Sequence, residues 1–170
     1  MSKKIKWILP PRRQNGFHKQ IMAKYERLVK LVAVGKMRDR FFDTRCQEFL
    51  TRINAYGRCE TVILPDSDVA GEGKAILREL DKERGSLIIA LTEEGREFTT
   101  REFSGILEAA DRKMVFIIGG PFGLAPEVKS RADRIIALSK MTFTHEMARL
   151  IFLEQLYRGL NLLNGGSYHH

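Results

Sequence analysis

From Lys30 onward the chain alternates between short runs of consecutive apolar residues and longer segments in which apolar residues recur every three or four positions. The first pattern suits a strand covered on both faces, the second a helix with one buried stripe. Residues 30–34 (Lys-Leu-Val-Ala-Val) read as a first strand, ended by Gly35. Phe41, Phe42, Cys46, Phe49, Leu50 and Ile53 then share one face of a helix over about 38–54, with Gly57 marking its end. A second strand, 60–64, stops at Pro65, and the polar segment holding Gly71 and Gly73 leads into a helix over about 74–84, closed by Gly85. Residues 87–91 form an apolar run suited to a buried strand, followed by a helix over about 100–111 with Phe103, Leu107 and Ala110 inward. After the strand 114–118 come a glycine-rich loop, a short helix near 126–132, a strand at 134–138 and a long helix over about 145–163. The predicted class is α/β, a parallel sheet with helices on both faces, with no internal repeat and no composition break within 30–170.

The chain has 170 residues, 44% apolar and 29% charged, enough for one globular domain with a real core. Its longest apolar runs, 87–91 and 114–118, fall far short of the roughly 20 residues that span a bilayer, so no membrane segment is expected. The apolar stretch after Lys3, Lys4 and Lys6 is too brief for a signal peptide and is interrupted by Pro10 and Pro11, which makes the cytoplasm the expected compartment. Cys46 and Cys59 lack zinc-site spacing and read as free buried thiols. The net charge of +8 is unevenly placed. Residues 1–30 hold nine Lys or Arg against one acid, Glu26, so the rest of the chain balances 20 basic with 20 acidic side chains. The basicity therefore belongs to an N-terminal arm. With Trp7 and Phe17 interleaved, that arm reads either as a salt-sensitive nucleic-acid contact or as a poorly ordered extension.

Ligands of open α/β sheets bind beyond the carboxyl ends of the strands, which directs attention to two loops. Gly119-Gly120-Pro121-Phe122-Gly123 removes side chains so that a ligand can lie against peptide groups, yet it matches neither a dinucleotide fingerprint nor a P-loop. Leu138-Ser139-Lys140-Met141-Thr142-Phe143 joins a buried strand to the last helix; its hydroxyls read as caps, its backbone as a partner for a purine. His145 and Arg149, one turn apart, suit an anionic group near the helix start, or are surface charges. No cluster has metal-ligand spacing, and no nucleophile elbow is present. The closing His169-His170 reads either as a tag remnant or as part of a site.

Taken together, Ile118-Gly119-Gly120-Pro121-Phe122-Gly123-Leu124, the run Leu138 to His145, Leu153-Glu154-Gln155-Leu156-Tyr157-Arg158, the closing Tyr168-His169 and an opening Lys30-Leu31-Val32-Ala33-Val34-Gly35-Lys36 resemble one family. It is the RlmH-type 23S ribosomal RNA (pseudouridine) N3-methyltransferases of the SPOUT superfamily. The resemblance implies a trefoil-knotted α/β fold, a homodimer, S-adenosylmethionine as methyl donor, and 23S rRNA in the assembled ribosome as substrate. It implies a donor pocket of Leu91, Gly119, Gly120, Gly123 and the stretch Leu138, Ser139, Lys140, Met141, Thr142 and Phe143. Catalytic roles fall to His169 as proton acceptor, Tyr168 and Arg149, and substrate contacts to His145, Tyr168 and His170. Family members usually follow Tyr-His with Arg or Lys; here His170 stands in that place, and its charge depends on its environment. Residues 1–28 are then a basic extension, disordered or preceding the true start, and 29–170 the methyltransferase domain. Competing readings are a SPOUT-fold RNA- or ribosome-binding module without catalysis, and a methyltransferase with another RNA target.

Overall fold

The computed structural model describes residues 28–168; the arm up to residue 27, His169 and His170 lie outside the described residues. Five strands, β1 (Leu28–Val34), β2 (Arg58–Leu64), β3 (Leu87–Glu97), β4 (Met114–Ile118) and β5 (Arg134–Ala137), alternate with five helices. These are α1 (Arg40–Ile53), α2 (Val69–Leu80), α3 (Thr100–Ala109), α4 (Pro126–Arg131) and α5 (His145–Leu163). The strands form one parallel sheet in the order β2-β1-β4-β3-β5. Side chains of β1 alternate between its faces: Leu31 and Ala33 pack with α1, α3 and α5, and Val32 and Val34 with α2 and α4. The α/β class with helices on both faces is therefore observed. Fully buried Phe116 lies 4.7 Å from the ring of Phe152 on α5, a contact whose truncation would cost about 3–5 kcal/mol. Among the described residues no helix is long and apolar enough to cross a membrane.

Local chemistry explains most boundaries. Asp39, Asp68, Thr99 and Thr144 each accept a backbone N–H in the first turn of the helix that follows, and Thr99 with Glu102 completes a capping box. Two elements depart from the expected pattern. The second helix starts at Val69 rather than near 74, so Gly71 and Gly73 lie within it. A Cβ on Gly71 would stand 2.5 Å from Ser67 Oγ, and one on Gly73 2.8 Å from Ala125 Cβ, so close packing selects glycine where propensity argues against a helix. Strand β3 runs on to Glu97, with Ile136 of β5 paired first to Leu91 and then to Arg96. Residues 92–95 thus stand out of register at the end of the strand, beside the loops expected to carry chemistry.

Candidate active site

Beyond the carboxyl ends of β3, β4 and β5 lies a cavity of about 270 Å³, walled by Leu91–Glu93, the loop 118–124, most of 138–143, His145 and Ala148. The glycines of the first loop serve different ends. A Cβ on Gly119 would stand 2.8 Å from the backbone of Gly123, because the loop folds back on itself through an N–H of Gly123 donated to the Gly120 carbonyl (3.1 Å). A Cβ on Gly120 would stand 2.7 Å from both carboxylate oxygens of buried Glu72, and Gly123 adopts φ +79°, which an L side chain resists. The second loop is held by Ser139 Oγ, which accepts the Met141 N–H (3.0 Å), and by Glu97, which accepts the Lys140 N–H (3.1 Å).

A model of the family described as "Predicted SPOUT methyltransferase" matches residues 28–169. The chain belongs to the SPOUT methyltransferases. It is 41% identical over 150 residues to "Ribosomal RNA large subunit methyltransferase H" of Gloeobacter violaceus, covering 84% of this chain and 98% of that protein. The same-named protein of Oleidesulfovibrio alaskensis is 37% identical over 156 residues, with 85% and 99% covered. Among solved structures, a probable methylase family protein from Haemophilus influenzae superposes with a TM-score of 0.56 at 12% identity, covering 86% of this chain and 72% of that one. A probable methyltransferase from Bordetella pertussis gives 0.52 at 15%, with 83% and 99% covered. At those identities the two structures speak for the fold.

In this SPOUT methyltransferase the structure gathers Leu91, Gly119, Gly120, Gly123, Leu138, Ser139, Met141, Thr142, Phe143 and His145 around one cavity. Apolar side chains and the backbone of Gly119 and Gly120 in the wall fit a flat adenosyl group with polar edges. Two side chains on the same segments go elsewhere. Lys140 does not line the cavity; its Nζ donates to the carbonyls of Glu93 (3.1 Å) and Gly95 (2.5 Å), tying the loop to the end of β3. Arg149 is only 3% exposed, and its Nη2 donates to the carbonyls of Val34 (2.9 Å) and Gly35 (2.8 Å). Burial pulls its guanidinium below the ordinary value, opposed by Cys46 and nearby carboxylates. Arg149 lines a separate cavity of about 650 Å³ between α1, β2 and α5. His145 and Arg149, expected to share one anion, thus face different cavities.

The tail is placed at the other end of α5. Tyr168 packs edge-on against Tyr157 (ring centroids 4.8 Å) and under the guanidinium of Arg158 (4.6 Å), whose Nη1 donates to the Tyr168 carbonyl (3.3 Å) while Glu154 holds Nε (3.2 Å). Asn161 Oδ1 accepts the Tyr168 N–H (3.0 Å). Ala148, the last residue of α5 in the cavity wall, and Arg158 are ten residues apart, about 15 Å along the axis, and Tyr168 does not line the cavity of its own chain. Sequence reasoning also overlooked Thr92 and Glu93 in the cavity wall and Glu72 behind it. The position of Thr92 and Glu93 just past a buried strand was the available signal; Glu72 had none, because its contact with Gly120 is long-range.

Proposed function

We propose that this enzyme transfers a methyl group from S-adenosylmethionine to N3 of a pseudouridine in 23S rRNA, acting on the assembled ribosome in the cytoplasm. The observation that carries this reading is the cavity at the strand ends, in a chain 41% identical over 150 residues to a protein named as an rRNA large-subunit methyltransferase. When bound, the donor supplies its methyl group on a sulfonium, ready for displacement by N3. The chain must hold the donor, exclude water and remove the N3 proton. Leu91, the backbone at Gly119 and Gly120 and the 138–143 loop hold the adenosine. His169 accepts the N3 proton, Tyr168 stacks on or hydrogen-bonds the base, and His145 and His170 contact the RNA. Arg149, locked onto β1, acts by fixing the start of α5 and so the placement of His145.

Because Tyr168 packs beside Arg158, about 15 Å along α5 from Ala148 in the cavity wall, the working enzyme is a homodimer in which one chain's tail serves its partner's cavity. Phe41 (64% exposed) on α1 and Met147 (37%) on α5 support such an interface. A trefoil knot belongs to the same reading: the segment between β5 and α5 is clasped against 92–95 by Lys140, as a threaded segment would be. The basic extension 1–28, preceding the domain at 29–170, adds salt-sensitive affinity for the ribosome.

The test is methyl transfer from labelled S-adenosylmethionine to intact ribosomes lacking the modification, with free 23S rRNA alongside and the product nucleoside identified by mass spectrometry. N3-methylpseudouridine on ribosomes is expected. Donor binding without product would make the chain a binding module, and a different methylated nucleoside would assign another RNA target.

A further inference from the structure

We propose that Glu72 is a positioning residue of the donor site, its buried carboxylate behind Gly120 favouring the cationic sulfonium donor over the neutral thioether product. The inference rests on the donor reading above and adds a determinant of ligand charge that no loop motif contains.

Glu72 lies in the first turn of α2 and is 2% exposed. Its Oε1 accepts the Ser67 N–H (3.2 Å), whereas its Oε2 is buried with no hydrogen-bond partner. Among the described residues it forms no ion pair. Glu79, two turns further along the same helix and also buried, is paired with both Lys30 and Lys82. One helix therefore carries a buried carboxylate that is neutralised within the fold and another that is not. An uncompensated buried carboxylate is costly, so packing alone favours an apolar side chain at this position.

What faces Glu72 is the glycine loop. Both carboxylate oxygens lie 2.7 Å from where a Cβ on Gly120 would stand, so the charge is one backbone thickness behind the cavity wall. Helix α2 lies close against this segment, since a Cβ on Gly73 would stand 2.8 Å from the Cβ of Ala125, just after the loop. A carboxylate in low-dielectric surroundings behind the wall attracts a cation in the cavity and is indifferent to a neutral thioether. Donor and product differ in this respect: loss of the methyl group converts the sulfonium to a neutral sulfur. Glu72 therefore strengthens donor binding and leaves product binding alone, which also favours release after transfer.

The Ser67 contact supplies a purely structural alternative, and Glu72→Gln separates the two because the amide oxygen still accepts the Ser67 N–H while the charge is gone. Calorimetric titration of the full chain with S-adenosylmethionine and with S-adenosylhomocysteine is expected to show the variant binding the donor about five- to tenfold more weakly and the product within about twofold of the unaltered chain. Glu72→Asp, which keeps the charge, retains the preference. An equal change for both ligands, or none for either, overturns the proposal. Should the Gln variant fail to fold, the unaltered chain still decides: it must bind the amine analogue sinefungin, cationic where the product is neutral, at least about fivefold more tightly than S-adenosylhomocysteine. Equal affinity for the two refutes the role of Glu72 while leaving the donor reading intact. An unaltered chain that binds none of these ligands overturns both.

Discussion

Adding one methyl group to the glycine loop tests whether its shape is set by the helix behind it. In Gly120→Ala the new Cβ would stand 2.7 Å from Oε1 and Oε2 of Glu72 and 3.0 Å from its Cδ, against a comfortable separation of about 3.5 Å. The carboxylate is held in place by the Ser67 N–H and is buried, and a retreat of α2 would open its close packing of Gly73 on Ala125. The strain therefore falls on the loop, which must move outward into the donor cavity. Overpacking of this kind costs about 1–3 kcal/mol, or about 3–10 °C in Tm for a chain of this size. Donor affinity should fall with it. Glu72→Ala removes the obstruction, so Gly120→Ala should cost about 1–2 kcal/mol less in that background, read by urea unfolding of the four chains in a double-mutant cycle. Gly123→Ala is the control: nothing lies within 4 Å of its Cβ, but its φ of +79° imposes a cost of about 1–2 kcal/mol that Glu72→Ala leaves untouched. Equal costs of Gly120→Ala in both backgrounds would refute the reasoning.

The Lys30 cluster at the other end of the sheet makes stability depend on pH. Hydrogen bonds from Lys30 and Lys82 hold the Glu79 carboxyl below the ordinary range; burial pushes Glu83 up, but Lys30 and Lys113 outweigh it and leave it lowered. Burial pulls Lys30 down, and its two carboxylates outweigh that and leave it raised. The carboxylates stabilise the fold above their ordinary pKa and lose that contribution as pH falls through their folded values; Lys30 stabilises below its ordinary pKa and loses it as pH rises through the raised one. Lys30→Met should cost about 3 kcal/mol at pH 7 and clearly less near pH 4, where protonated carboxyls need no counter-charge; a deficit constant from pH 4 to 7 in urea unfolding would reject this. Burial pushes the Cys46 thiol up to about 11 and, with Glu60 adding to it, Cys59 up to about 12, so both should be nearly inert to a disulfide reagent at pH 8 until the chain is unfolded. Fast labelling of the native chain would contradict their burial. Equimolar mixing of a Tyr168→Ala chain with a Gly119→Val chain should recover about a quarter of the unaltered methyl transfer, since half the dimers are mixed and each retains one intact site. No recovery after subunit exchange would place tail and cavity in the same chain.

Much of the fold was legible along the chain because its causes are local. The run Met114–Ile118 and the periodic segment His145–Leu163 became β4 and α5 at the expected residues, since continuous and three-to-four spacing of apolar residues specify those elements before any tertiary contact forms. The paired loops at the strand ends were visible for the same reason: a glycine cluster and a polar segment directly follow buried strands. Tertiary structure decided the rest, through partners far apart in sequence. Gly71 and Gly73 lie inside α2, which Asp68 caps, and the closeness of Ser67 and Ala125 favours glycine there despite its low helix propensity. Lys140 and Arg149 lie away from the cavity wall, donating instead to the carbonyls of Gly95, Val34 and Gly35, partners distant in sequence. Gly120 reads as a turn residue in sequence and becomes the thin wall between Glu72 and the cavity only once α2 has packed beneath it. Periodicity records which face of an element is buried; which side chain meets which is settled only by packing those faces together.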